Sequence, residues 1–163
     1  MKVYITPAGK TALLASNFLE RAREEFGFDI VILLADVNLA NDLYNKFYRE
    51  NLIVVPVSNP FFGNSDYLRT VRRIVKKVLL FCPEAEQVII NSSGGTEKMT
   101  SIIKDASDIL GKKYPILRSW GVHDTISGEV IFTLKPDINP EKELEDLEES
   151  VGINANDSSM EDR

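Results

Sequence analysis

Apolar positions along this chain alternate between short continuous runs and stripes at helical spacing. Lys2–Ile5 is a β-branched and aromatic run closed by Thr6-Pro7, which predicts a first strand. From Thr11 to Phe26, Leu13, Leu14, Phe18, Leu19, Ala22 and Phe26 recur with helical period, and Gly27 follows as a natural stop. Asp29–Ala35 (DIVILLA) is an unbroken apolar run of strand length, as a strand buried on both faces requires. Asn38–Glu50 reads as a helix and Asn51–Val57 as a third strand, with Pro56 near its end, where a missing amide donor does least harm.

The second half repeats the alternation. Ser58–Ser65 (SNPFFGNS) is rich in turn formers, and Asp66–Phe81 predicts a long helix whose polar face carries Arg69, Arg72, Arg73, Lys76 and Lys77. Glu86–Asn91 is a fourth strand, Ser92–Thr96 a small-residue turn, and Glu97–Leu110 a helix stopped at Gly111. Tyr114–Trp120 and Glu129–Leu134 read as two last strands. They are joined by a loop holding His123, too short for a parallel crossover, so the final strand is expected to run antiparallel. Together these elements predict an α/β fold: a doubly wound, Rossmann-like, mostly parallel six-stranded sheet over residues 1–136 with an antiparallel terminal strand. After Pro136 the pattern changes. Pro140–Ser150 suits a short acidic helix anchored by Leu144, Leu147 and Val151, and residues 152–163 have a disordered composition.

Composition narrows the function. The 163 residues are 44% hydrophobic and 27% charged, enough for one ordinary core. No run approaches the ~18–20 apolar residues of a membrane span, and the N-terminus enters a strand without a signal-like segment, so a cytoplasmic protein is expected. A single cysteine, Cys82, excludes a disulfide framework and reads as a small packing residue; with His123 the lone histidine, no metal site and no cofactor is expected. The net charge of −6 is unevenly placed. Residues 137–163 hold ten acids and two bases, leaving −8 there and +2 on the body. The body therefore tolerates a phosphate ligand but is not basic enough to coat duplex nucleic acid. The cationic face of Asp66–Phe81 reads first as a solvated helix face.

Two strand-to-helix turns stand out, because ligands of open α/β sheets sit at the carboxyl ends of strands. One is Thr6–Thr11 (TPAGKT), the other Asn91–Met99 (NSSGGTEKM), and each combines glycine, hydroxyls and a lysine. Glycine lets a backbone approach a ligand, and amides opening a helix donate to anionic oxygens. Gly9-Lys10-Thr11 mimics the end of a P-loop, but the glycine that motif needs five residues earlier is Tyr4, so the turn cannot wrap a triphosphate. No G-x-G-x-x-G occurs either. Thr96 equally suits the N-cap of the following helix, His123 a polar loop residue, and Trp120 either a stacking platform or the edge of a core. Arg118 and His123 have the R-x4-H spacing of a family of helical ribonuclease domains, here outside any helix, and are read as coincidence.

The segment VIINSSGGTEKM resembles the signature of the CRISPR-associated Rossmann-fold (CARF) family, in which a hydrophobic strand, an Asn and a small or hydroxyl pair precede Gly-Gly-Thr, then Lys and Met. TPAGKT is similar to that family's other ligand turn, and the two lie about 85 residues apart, as the family spaces them. One position departs: Glu97 stands where the family often has Lys, and Lys98 follows it.

The resemblance implies a homodimer that binds a cyclic oligoadenylate, cyclic tetra-adenylate being the expected ring, across its two-fold axis. Thr6, Ala8, Gly9, Lys10, Thr11, Asn91, Ser92, Ser93, Gly94, Gly95, Thr96, Lys98, Met99 and His123 are the implied ligand contacts. With too few residues outside the sheet for an effector domain, it further implies a free-standing ring nuclease. Such an enzyme cleaves the messenger without metal by attack of a ribose 2′-OH and so switches off type III CRISPR signalling; Lys98, Thr11 and Lys10 would be its catalytic residues. The other class it allows is a non-catalytic sensor or sink acting through a partner protein.

Overall fold

In the computed structural model the described residues are 1–8, 12–46, 51–57, 64–123, 127, 129–135 and 147–148. Six strands and four helices alternate: β1 (Lys2–Pro7), α1 (Ala12–Phe26), β2 (Ile30–Asp36), α2 (Val37–Lys46), β3 (Leu52–Val57), α3 (Asn64–Phe81), β4 (Gln87–Asn91), α4 (Glu97–Leu110), β5 (Ile116–His123) and β6 (Val130–Lys135). They build one sheet in the order β3-β2-β1-β4-β5-β6. All neighbours pair in parallel except β5 with β6, which pair antiparallel. The doubly wound, Rossmann-like α/β architecture expected from the pattern is therefore observed.

The apolar runs explain the layering. The five central residues of β2 are all buried, because helices cover both faces of the sheet. One core lies under α3 and α4, where Val71, Ile74, Val78, Ile102, Ile103 and Ala106 pack on Val3, Ile5, Ile32 and Ile90. The other lies under α1, where Ala15, Leu19 and Ala22 pack on Tyr4, Val31, Leu33 and Ile89. The Tyr4 ring stacks on Phe28, centroids 5.0 Å apart. Its hydroxyl is sealed between Thr6 and Ser119 without a well-formed hydrogen bond, and burial pushes the phenol above its ordinary range. Pro56 lies on β3, an edge strand of the sheet, where its missing donor is tolerated.

Several boundaries differ from the sequence reading: β1 runs on through Thr6-Pro7, α3 starts at Asn64 rather than Asp66, and both ends of the fifth strand move. The fifth strand starts at Ile116 rather than Tyr114, because the Tyr114 amide still bonds back to the Leu110 carbonyl at 2.8 Å and prolongs the helix end. It then runs past Trp120 to His123, carried by antiparallel pairing as far as His123↔Val130. His123 thus ends a strand instead of sitting in a loop. Gly121, which reads as a breaker, is inside that strand because of its neighbours. A Cβ there would come within 2.5 Å of Phe18 and 2.8 Å of Phe132, whose rings meet edge to face at 5.2 Å. Overpacking of this kind costs about 1–3 kcal/mol. Gly121→Ala is expected to lower the free energy of unfolding by that amount, read as a lower urea midpoint with an unchanged slope; full stability would show that the rings yield freely.

Candidate functional site

The sheet order reverses between β1 and β4, so the carboxyl ends of these two strands form the topological switch point. The register Ile5↔Ile90 puts Thr6 beside Asn91, and the Asn91 Nδ2 donates to Thr6 Oγ1 at 3.0 Å. The ends of the two strands, 85 residues apart in sequence, are thereby fastened together. Of the first turn, Thr6 and Ala8 are buried, and Gly9, Lys10 and Thr11 lie outside the described residues.

Asn91 organises the second turn. Its carboxamide, 1% exposed, also donates to the Ser93 carbonyl at 2.9 Å and accepts from the Ser93 amide at 3.2 Å. The Ser93 hydroxyl shares its one proton between Asn91 Oδ1 at 2.7 Å and the Gly121 carbonyl at 2.6 Å, and it accepts from the Gly121 amide at 2.9 Å. The Ser92 amide donates to the Ser119 carbonyl, and the Ser119 hydroxyl to the Ile90 carbonyl. Buried polar groups are expensive unless paired, and here each helps pin the turn to β1 and β5. Thr6, Asn91 and Ser93 therefore spend these polar atoms inside the protein.

What the network presents outward is backbone. Gly94 and Gly95 take φ of +79° and +66°, the left-handed region in which an L side chain is strained. Gly95 is further constrained, since a Cβ would lie 2.7 Å from Pro7 Cβ and 3.0 Å from Met99 Sδ. Thr96 is the N-cap of α4: its hydroxyl accepts from the Met99 amide at 3.2 Å, the use of threonine weighed from sequence. Among the described residues no acceptor engages the amides of Gly94, Gly95 or Thr96. These donors open a helix of 14 residues, whose dipole adds positive potential at the same point. Gly94, Gly95, Thr96, Glu97 and Lys98 are exposed and Ser92 half-buried, whereas Met99 is buried in the core under α4.

Beneath the turn is a cavity of about 100 Å³, between Thr6, Asn91, Ser93 and Gly94 on one side and Ala15, Phe18 and Leu19 of α1 on the other. That volume is far below the ~300–1,000 Å³ of ordinary ligand pockets and suits about three waters.

The remaining candidates sit elsewhere. Arg118 is held by α4, donating to Ser107 Oγ at 3.1 Å and Asp108 at 3.3 Å. Trp120, 40% exposed, lies beside Val122 and Ile131 on an apolar strip of the β5–β6 pair. The His123 side chain and most of the acidic tail lie outside the described residues. Among the described residues no group of three His, Cys, Asp or Glu side chains could hold a metal, and no helix is long and apolar enough to cross a membrane. Gly121 and Ser119 were not foreseen as part of the network; the signal for Gly121 is a glycine inside a strand pattern, which marks a close approach.

No protein-family model matches the chain, and no curated protein matches it. Among solved structures it is similar to Csm6 from Enterococcus italicus, bound to cyclic hexa-2′-fluoro-hexa-dAMP, at 14% identity over 72% of this chain and with a TM-score of 0.47. The chain spans about a third (33%) of that Csm6 chain. It is also similar to the C-terminal domain of PF1911 hydrogenase from Pyrococcus furiosus, at 18% identity over 72% of this chain and 89% of that one, with a TM-score of 0.42.

The two glycines make separable demands. Gly95→Ala meets both a positive φ, worth about 1–2 kcal/mol, and the Pro7 ring. A Cβ at Gly94 would meet nothing within 4 Å, and asparagine tolerates its conformation, so Gly94→Asn is expected to cost less than about 1 kcal/mol. Chemical denaturation of both variants checks the order; equal losses would contradict this account of the turn.

Proposed function

We propose that this chain binds a cyclic oligoadenylate, with cyclic tetra-adenylate as the favoured ring, on the turn Ser92–Thr96 and the neighbouring turn after β1. The observation that carries the reading is the meeting of the ends of β1 and β4 at the switch point, fastened by the Asn91–Thr6 hydrogen bond, from which both turns depart. The exposed amides of Gly94, Gly95 and Thr96 supply phosphate donors. The sequence resemblance of VIINSSGGTEKM and TPAGKT to the CARF family supplies the ligand class. In this reading Asn91, Ser93 and Met99 act as supports beneath the ligand, and Gly9, Lys10, Thr11 and His123 as further contacts. A ring of repeating nucleotides has its own symmetry, so a two-fold homodimer offering the same turns from each protomer fits it. In this reading residues 1–136 form the binding domain and residues 137–163 an acidic C-terminal segment.

The reaction proposed is cleavage without metal. The 2′-oxygen of one ribose bonds to the adjacent phosphorus, the bond from phosphorus to the 5′-oxygen breaks, and the 2′-hydroxyl proton ends on that leaving oxygen. The product is linear with a 2′,3′-cyclic phosphate. Such a step needs in-line alignment and stabilisation of the phosphorane charge more than a strong base. Backbone amides of the turn, the Thr11 hydroxyl and the ammonium groups of Lys98 and Lys10 are the groups available for it.

One observation favours the second reading, a sensor or sink that holds the ring intact. Glu97 is exposed at the first position of α4, where it faces an arriving phosphate with negative charge, and Lys98 lies ~100° further round the helix.

Incubating the full chain with labelled cyclic tetra-adenylate in EDTA separates the two. Linear product supports cleavage; intact, co-purifying ring supports the sensor; no binding to any ring size contradicts both. If cleavage occurs, Lys98→Ala is expected to slow it at least about tenfold, since a charge-assisted bond to phosphate is worth about 1.5–3 kcal/mol, with a smaller change in affinity. An unchanged rate would move the role to Lys10.

A further inference from the structure

Helix α3 turns a face of mixed character to solvent. Its inner side is core, with Val71, Ile74 and Val78 buried. Its outer side carries Arg69, Arg72, Arg73 and Lys76, and Asp66 is the sole acid in the helix. Leu68 precedes these cations and Leu79 and Leu80 follow them, 53%, 43% and 67% exposed. Single exposed leucines are ordinary, but a cationic helix face that ends in the exposed pair Leu79 and Leu80 suits an acidic amphipathic partner. Arg69 lies 3.9 Å from Asp66, and Lys77 sits over the Phe81 ring at 5.5 Å. Among the described residues no carboxylate pairs with Arg72, Arg73 or Lys76.

The chain carries a segment of that kind. Residues 137–163 hold ten acids and two bases. Within them Leu144, Leu147 and Val151 recur at helical spacing among Glu141, Glu145, Glu148 and Glu149. Leu147 and Glu148 are helical.

Topology brings the two within reach. Because β6 is antiparallel, its last residue Lys135 pairs with Arg118 near the start of β5. Helix α3 also ends at that side of the sheet, at Phe81, just before β4 begins at Gln87. Both ends lie opposite the Ser92–Thr96 turn. The steps from Lys135 to Leu144 span up to about 30 Å extended, against about 24 Å for the full width from β6 to β3.

We propose that the acidic C-terminal segment of this chain docks as an amphipathic helix along the outer face of α3. Leu144, Leu147 and Val151 then cover Leu79 and Leu80, and the glutamates pair with Arg72, Arg73 and Lys76. The docked segment keeps other polyanions off this cationic face. The contact does not rest on the ligand assignment, since it uses the outer face of α3 and none of the residues of the Ser92–Thr96 turn.

The full chain allows a direct test. Cys82, the sole cysteine, is buried, so a nitroxide can be placed selectively on Ser150→Cys. In 15N spectra at about 0.1 M salt, the label is expected to broaden the amides of Lys76, Leu79 and Leu80. The effect should weaken at 1 M, where the screening length falls from about 10 to about 3 Å. Arg72→Glu with Lys76→Glu should abolish it, and adding Glu145→Lys with Glu148→Lys should restore it. Unchanged resonances from β1 and β4 report that these surface variants fold. Absence of broadening in the wild-type background overturns the proposal. So does equal broadening when spin-labelled 14N protein is mixed with unlabelled 15N protein, which would assign the groove to a second copy's tail.

Discussion

The carboxamide of Asn91 is the interaction on which the rest of the site depends. It closes the ends of β1 and β4 through Thr6 and folds the following turn back on itself through Ser93. Through the Ser93 hydroxyl it also ties that turn to Gly121 of β5. A primary amide has both donors and an acceptor, and this one, in a side chain 1% exposed, uses each within the protein. Removing one partner would leave others unsatisfied, at about 1–3 kcal/mol for each buried group. With the turn fixed from three sides, two consecutive left-handed glycines become tolerable, and the amides of Gly94, Gly95 and Thr96 find no acceptor among the described residues.

That fixation also separates support from contact. Thr6, Asn91 and Ser93 have the composition of a ligand turn, yet their burial makes them the frame that holds Gly94, Gly95 and Thr96 outward. Preorganised amides cost little reorganisation when an anion arrives, which is the property a phosphodiester site needs. The small cavity beneath the turn lies between this frame and Ala15, Phe18 and Leu19 of α1.

The sheet was legible because strands buried on both faces must be apolar throughout: DIVILLA and EQVIIN have no other good use in a soluble chain. The helix Glu97–Leu110 and its Thr96 cap were legible for a similar local reason, a hydroxyl just ahead of a periodic apolar stripe. The run of β5 past Trp120 was not. Its Gly121 looks like a break until Phe18 and Phe132 are seen to need the missing side chain, a contact set by tertiary packing. Nor does residue type reveal where a polar atom points. Asn and Ser in a glycine turn look alike whether they face a ligand or the protein, and only the register of β1 against β4 decides. The charge division into a +2 body and a −8 tail was readable by counting. That the tail departs from the end opposite the turn follows from the antiparallel β6, known once the pairing is known.

The most direct measurement is a titration of cyclic tetra-adenylate into 15N-labelled protein, read amide by amide. The account predicts that Gly94, Gly95, Thr96 and Lys98 shift first and together, with Ser93 and Gly121 following through their shared hydrogen bonds and β3 unmoved. Saturable shifts elsewhere that leave the Ser92–Thr96 turn unchanged would contradict it.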